Sequence, residues 1–388
     1  MISALFFVWF LAALAWTVNA LRRPVPPHRR FPPLWLPGML VSELAPLLFF
    51  VRALAAVGFV AAGGHHGALG RLAVGLFAAS EAGLLVLMVR TVRSSLATGH
   101  SPSLVTLFRL WERLPAGVEH MTEVHYWNGF TLDVYSRPGL VGAPTLVYVH
   151  PGSWMRGRPG RQARPLLYRL ARDGWVVLDI RYPLSPQATF PEHLIGVKRA
   201  IAWAKTEGRS LGVDPSRVAV AGASSGAHLA ALAALTPDRP DLQPGFADAD
   251  VTVVACAVFY GIYDLLVRNP TRYDWPFVAR DVMKAPPADA PELYRLGSPI
   301  DQARADAPPV LAVHGEFDSI VLPDESRHFV EALRRVGAVA EYHEVLGAQH
   351  GFDAVASLRT RAVGSMSSAW LNRRVVAEKG NPPADSDA

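Results

Sequence analysis

The sequence predicts an α/β domain, a mostly parallel sheet with helices on both faces, preceded by an apolar helical region fit for a membrane. Three observations carry this reading. From about residue 120, short apolar runs alternate with amphipathic ones at the spacing of strands and helices. A Gly-x-Ser-x-Gly pentapeptide joins one apolar run to an Ala/Leu-rich segment. Charged residues make up 18% of the 388 positions and hydrophobic ones 51%, a balance more apolar than the roughly 25% charge of an ordinary soluble chain.

The apolar excess is concentrated at the start. Ile2–Leu21 carries no charge and, at about 1.5 Å per residue, is long enough to cross a bilayer. Residues 39–62 and 72–89 form two further stretches. A cleaved leader is the alternative for the first, with Val18-Asn19-Ala20 loosely fitting a cleavage site. No positive n-region precedes it, however, so it is read as an uncleaved span. Glu43, Pro46 and Arg52 interrupt the second stretch and Glu81 the third, and a lone charge at mid-bilayer costs about 2.5–3.5 kcal/mol. A hairpin through Gly63-Gly64-His65-His66-Gly67 brings Arg52 and Glu81 to one depth and predicts that they pair; His65 and His66 read as a polar turn. Arg22, Arg23, Arg29 and Arg30, with His28, lie between the first two stretches, and Arg90 and Arg93 follow the third. The positive-inside rule then puts the N-terminus outside and everything after residue 90 in the cytoplasm. The net charge of +5 has no basic stripe with interleaved aromatics, so membrane lipid is an expected partner and nucleic acid is not. The single cysteine, Cys256, excludes an internal disulfide and a cysteine-based zinc site; its surroundings read as a buried strand. No cofactor or metal is expected.

After the membrane region (1–93) comes a polar linker (94–118) with a short helix around Leu104–Leu114. The catalytic domain is read as 119–375 and the polar tail 376–388 as disordered. Glu123–Trp127 and Thr131–Tyr135 flank Asn128-Gly129, a strong hairpin signal. Further strands are expected at Thr145–Val149, Trp175–Ile180, Val218–Ala221, Val251–Phe259, Val310–Val313 and Glu341–Val345. Helices fit between them at Gln162–Arg172, Glu192–Glu207, Ser225–Leu235, Pro323–Val336 and after Gly351. The segment from Arg268 to Pro291, rich in Pro, Asp and aromatics, is the candidate cap-like insertion.

Chemistry concentrates where such strands end. In Gly222-Ala223-Ser224-Ser225-Gly226 the glycines permit the sharp strand-to-helix turn that exposes a nucleophilic serine, and the helix N-terminus favours developing negative charge. The turn register selects Ser224 over Ser225. A serine needs a base and an orienting acid. Asp318 follows the strand ending at Val313 and His350 the strand ending at Val345, so Ser224, Asp318 and His350 run in the chain order this fold uses. Glu316 and Asp353 are alternative acids, His228 and His314 alternative bases; His228, one turn into the nucleophile helix, reads as a packing or supporting group. His150-Pro151-Gly152-Ser153-Trp154 follows the strand Thr145–Val149, and the backbone N–H groups of Gly152, Ser153 and Ser225 are the candidate oxyanion hole.

At these residues the domain resembles the hormone-sensitive-lipase-like and feruloyl-esterase-like carboxylesterases of the α/β-hydrolase fold. More narrowly, it is similar to membrane-associated esterases of actinobacteria. The resemblance covers roughly two thirds of the chain. It rests on His150 to Trp154 against His-Gly-Gly-Gly/Ala-Trp, on Gly222 to Ala230 against Gly-Asp/Gly-Ser-Ala-Gly-Gly-His-Leu-Ala, and on Val213–Arg217, Phe259–Asp264 and Gly347–His350. Pro151 departs from the pattern: it stands at the first glycine and has no N–H. The resemblance places the donors at the next two positions, so they survive in a stiffer loop. Ser225 stands where an alanine is usual, and its N–H still serves.

The resemblance implies hydrolysis of a small-molecule carboxylic ester through an acyl-enzyme, with lipophilic acyl esters favoured by the membrane tether. An amidase resembling kynurenine formamidase is the alternative among enzymes, since Gly226-Ala227-His228 matches its variant of the motif. A non-catalytic membrane-anchored scaffold on the same fold is the alternative of another class.

Overall fold

The computed structural model describes residues 2–23, 34–272 and 275–376. They divide into two compact units. The first holds the N-terminal helices through Glu112 together with the loops Gly315–Pro323 and Glu344–Val363; the second holds Arg113–His314, Asp324–His343 and the chain from Gly364.

In the first unit the apolar stretches become α1 (Ile2–Leu21), α2 (Trp35–Glu43), α3 (Ala45–Ala61) and α4 (Gly67–Ala97), followed by the short α5 (Leu104–Phe108). Helix α5 is shorter than the expected Leu104–Leu114. Two of these helices, α1 and α4, are long and apolar enough to cross a membrane, and the α2–α3 pair makes a third if it counts as one span. The second stretch is not one continuous helix: it breaks at Leu44 and bends by 83°. Pro46 is the cause. It has no N–H to continue a helix but fits the first turn of a new one, where that donor would be idle.

The helices pack through Phe10, Phe59 and Ala73 at one end and Ala20, Val41, Ala45, Leu84 and Leu87 at the other. Ser3 donates to Gly64 O at 2.9 Å, which fixes the start of α1 at the α3–α4 turn. The opposite face leaves Val8, Trp9, Leu54, Val57, Leu72 and Val86 exposed, a surface that water does not favour.

Arg52 does not pair with Glu81. Its guanidinium donates instead to Thr17 Oγ1 at 2.8 Å and Ser80 Oγ at 2.6 Å, hydroxyls that reach it from neighbouring helices. Arg29, Arg30 and His28 of the charge argument lie outside the described residues, as does the tail from residue 377.

A buried ion pair that neither apolar stretch announced ties this unit together. Glu43 at the end of α2 pairs with Arg359, both side chains fully buried. Ser357 Oγ donates to the same carboxylate at 2.5 Å, and Arg359 also donates to Ser42 Oγ at 3.1 Å and Thr91 Oγ1 at 2.8 Å. Removing one partner strands a buried charge. Arg359→Met alone is expected to cost about 3–5 kcal/mol of stability, and Glu43→Leu with Arg359→Met much less. Thermal unfolding of the two variants in detergent reads that difference.

The second unit carries the sheet. Its strands are β1 (Glu119–Trp127), β2 (Phe130–Ser136), β3 (Ala143–Val149), β4 (Val176–Ile180), β5 (Val213–Ala223), β6 (Cys256–Phe259), β7 (Val310–Gly315) and β8 (Ala340–Val345). Its helices are α6 (Arg164–Arg172), α7 (Glu192–Thr206), α8 (Ser225–Leu235), α9 (Pro291–Leu296), α10 (Asp324–Arg335) and α11 (Leu358–Val375), the last beginning in the first unit. The sheet order is β1-β2-β4-β3-β5-β6-β7-β8. Strand β2 pairs antiparallel with β1 and β4, and β3 to β7 pair in parallel. Asn128 at φ 44° and Gly129 at φ 78° make the tight β1–β2 turn.

Expected Val251–Phe259 shortens to Cys256–Phe259, because Asp250 turns the preceding chain, accepting from Thr252 N at 2.9 Å and Thr252 Oγ1 at 2.6 Å. Every residue of α8 is buried, as a helix apolar on all sides requires. The segment from Arg268 to Pro291, apart from residues 273–274 outside the described chain, holds one helical turn, Val278–Met283. Buried Val278, Val282 and Met283 seat it, and Val282 O accepts from Phe190 N at 2.8 Å.

Candidate active site

The sheet order reverses at β3: β4 lies on one side of it and β5 on the other. In open α/β sheets ligands bind at such a point, beyond the strands' carboxyl ends. The two segments that leave there are the His150–Trp154 loop after β3 and Ser224 after β5. Val149 pairs with Gly222, so the two segments start side by side.

Ser224 has φ 52° and ψ −120°, a strained backbone for a residue with a Cβ. Its N–H donates to Phe259 O at 2.9 Å, and its carbonyl accepts from His228 N at 3.1 Å in the first turn of α8. The flanking glycines are required by space. A Cβ on Gly222 would overlap Gly226 O, and one on Gly226 would overlap Val149 O.

Gly152, Ser153 and Trp154 take successive positive φ values of 144°, 56° and 59°, folding the chain back on itself. Met155 N and Arg156 N close the turn on Gly152 O at 3.1 and 3.0 Å. A Cβ on Gly152 would overlap Arg156 O. The loop is held from three directions. Tyr182 Oη donates to His150 O at 3.1 Å and its ring stacks on the imidazole. Ser185 N donates to Trp154 O at 2.8 Å. Trp154 Nε1 donates to His228 Nδ1 at 3.1 Å, leaving His228 Nε2 to donate to Gly297 O at 2.7 Å. That second bond fixes the tautomer: His228 is a neutral link between the loop and α8.

Burial holds the imidazoles of His150 and His228 down at about 4 and that of His193 at about 3. Each is neutral when folded and protonates near 6.5 when unfolded, so the unfolded state binds more protons between those values and stability falls as pH falls below about 6.5. Burial raises Asp179 to about 7, which works in the opposite direction, but it is one group against three. The thermal midpoint is therefore expected to drop between pH 6.5 and 4.5, as a melting series in buffers of equal ionic strength would show.

Asp318 and His350 come together in the first unit. Asp318 is fully buried, and its Oδ1 accepts from Ile320 N at 2.9 Å and Val321 N at 2.8 Å. Oδ2 stands 2.6 Å from His350 Nδ1. A carboxylate there accepts a hydrogen bond from Nδ1–H, which keeps the proton on Nδ1 and leaves Nε2 as the basic nitrogen. Of the other candidates, Glu316 and His314 are engaged otherwise. Glu316 pairs with Arg23 at 3.1 Å and accepts from Gly347 N at 3.0 Å. His314, fully buried, bonds Ser326 Oγ through Nδ1 at 2.7 Å. Asp353 lies in the short turn Phe352–Ala354.

One residue at this pair had no sequence signal. Trp35, the first residue of α2, donates from Nε1 to His350 O at 2.5 Å, and its ring meets the imidazole edge-on with centroids 6.3 Å apart. The 315 positions between them put it beyond any motif.

A mostly parallel sheet covered by helices, with a strained serine turn where the strand order reverses, is the architecture of the α/β-hydrolases. Comparison with known proteins narrows the class. The chain belongs to the BD-FAE family, whose profile matches residues 132–333. Esterase LipQ of Mycobacterium tuberculosis is 41% identical over 267 residues, covering 65% of this chain and 63% of LipQ. Esterase LipC of the same organism is 38% identical over 248 residues, 62% of each. The chain thus matches about three fifths of the length of these relatives. A truncated carbohydrate esterase from gut microbiota superimposes with a TM-score of 0.57 at 22% identity, covering 67% of this chain and all of that one, a likeness of fold.

Proposed function

We propose that the protein is a serine carboxylic-ester hydrolase with Ser224 as nucleophile, His350 as general base and Asp318 as the acid that orients it. The observation that carries this is the Asp318–His350 bond of 2.6 Å, with the serine on a glycine-framed strained turn. Ser224 Oγ attacks the ester carbonyl while its proton passes to His350 Nε2. The tetrahedral oxyanion is bound by the N–H groups of Gly152, Ser153 and Ser225. Collapse expels the alcohol, which takes the proton back from His350, and leaves an acyl-enzyme. Water, deprotonated by His350, then releases the carboxylic acid and the free serine.

An ester is preferred to an amide because the relatives LipQ and LipC are named esterases. A lipophilic acyl chain is supported by an apolar cleft of about 430 Å³, lined in part by Trp127, Phe130, Leu184 and Ile195. It borders the segment whose Ser185 N bonds the oxyanion-loop residue Trp154.

The N-terminal region is proposed to cross the membrane three times, by α1, α3 and α4, with α2 turned into the interface by its 83° bend. Arg22 and Arg23 follow α1, and Arg90 and Arg93 lie near the end of α4, so the arginines gather at the end of the bundle opposite the Ser3–Gly64 contact. By the positive-inside rule that end, and the catalytic part, face the cytoplasm and the N-terminus faces outside.

Hydrolysis of p-nitrophenyl butyrate and laurate by the detergent-solubilised protein, with fluorophosphonate labelling alongside, tests the reading. Turnover and a labelled serine are expected, with laurate preferred. A protein inert to both esters and to the probe would leave the scaffold alternative standing, and turnover of formamides alone would favour the amidase.

A further inference from the structure

Helix α2 lies against the loop that carries His350 along its whole length. At its start, Asn19 grips the cap residue: Nδ2 donates to Leu34 O at 2.9 Å and Oδ1 accepts from Leu34 N at 2.7 Å. Next comes Trp35 on His350. One turn on, Gly38 eases the approach: a Cβ there would stand 3.1 Å from Asn19 Nδ2 and 3.3 Å from Gln349 Nε2, a tight fit. Ser42 Oγ donates to Gly347 O at 3.2 Å. Glu43 closes the helix on Arg359 and Ser357. The contacts therefore fall at 347, 349, 350, 357 and 359, on both sides of the histidine. The acid's loop has its own brace, the Arg90 guanidinium 4.8 Å over the Phe317 ring, next to Asp318.

We propose that α2 is a positioning element of the catalytic base and that Trp35 is its key positioning residue, so that the N-terminal region is part of the machinery as well as a tether. The inference rests on His350 being the base. An imidazole held on one side by Asp318 still pivots with its own backbone. Trp35 removes that freedom by bonding the His350 carbonyl and blocking the ring from the side. A base displaced by about 1 Å loses on the order of 100-fold in rate. The cost falls on the chemical step and not on substrate binding, because Trp35 acts through the histidine.

The test uses full-length protein in detergent, with Trp35→Phe and Trp35→Ala. The first keeps a ring and loses the N–H; the second loses both. Labelling by a fluorophosphonate probe gives the maximal inactivation rate and the half-saturating probe concentration separately. Hydrogen–deuterium exchange of residues 344–357 is read on the same samples. The expected result is a fall in maximal rate of about tenfold for Trp35→Phe and about 100-fold for Trp35→Ala at unchanged half-saturation, with faster exchange confined to 344–357. A wild-type maximal rate in Trp35→Ala, a loss confined to half-saturation, or faster exchange spread over the whole sheet would each overturn it. If the wild type itself is not labelled, the hydrolase reading has failed, and unaltered exchange of 344–357 in Trp35→Ala overturns the positioning role independently.

Discussion

Replacing Ser224 by alanine is expected to lower ester turnover by about 10⁴- to 10⁶-fold, leaving the residual rate that oxyanion donors and binding alone support. The loss is large because the neighbouring hydroxyl is not presented to a substrate. Ser225 begins α8 and is fully buried. Ser224→Gly is a useful companion. The backbone at φ 52°, ψ −120° strains any residue with a Cβ and suits glycine. It is expected to abolish activity equally while gaining stability on the order of 1 kcal/mol. Turnover assays and thermal unfolding of both variants check the pair of effects. Near-wild-type turnover in Ser224→Ala would move the nucleophile elsewhere.

The second large effect is expected at Asp318. Asp318→Asn keeps the size and an oxygen for Ile320 N and Val321 N, the two donors that now hold Oδ1. It offers His350 Nδ1 an amide N–H in place of a carboxylate oxygen, which reverses the favoured tautomer and puts the proton on Nε2, where the lone pair is needed. A drop in turnover of about 10⁴-fold with little change in half-saturation is the expected result. Glu316 is not set to substitute, being committed to Arg23 and Gly347 N. Turnover within tenfold of wild type would remove Asp318 from the mechanism. The two variants also separate roles: Ser224→Ala abolishes fluorophosphonate labelling, whereas Asp318→Asn slows it.

Much of this was legible in order along the chain. The helix Ser225–Leu235 has the predicted bounds, and the hairpin turn sits at Asn128-Gly129, because both depend on residues a few positions apart. The glycines of the serine turn were readable for the same reason: backbone overlap at Gly222 and Gly226 is a local constraint. Binary patterning also gave the sheet strands, since strands buried on both faces read as apolar runs.

Pairwise partners over long separations were not legible. Sequence depth alone suggested Arg52 with Glu81, yet depth does not fix rotation about a helix axis, and packing turned Arg52 toward Thr17 and Ser80. Pro46 was visible as an interruption, but whether it kinks a span or starts a new helix depends on what the freed segment can pack against. Here Trp35–Glu43 found the His350 loop. Glu43 looked like a costly charge in an apolar stretch because its partner, Arg359, stands 316 positions away.

The sequence by itself determined most strands of the sheet and the helices between them, the serine turn and the chain order of the three candidate catalytic residues, all of which follow from local sterics and hydrophobic period. Only the tertiary structure decided that α2 turns away from α3 to pack on the loop that carries His350. That choice is set by complementary surfaces and by the need to neutralise one buried carboxylate, and neither is written within any short stretch of chain.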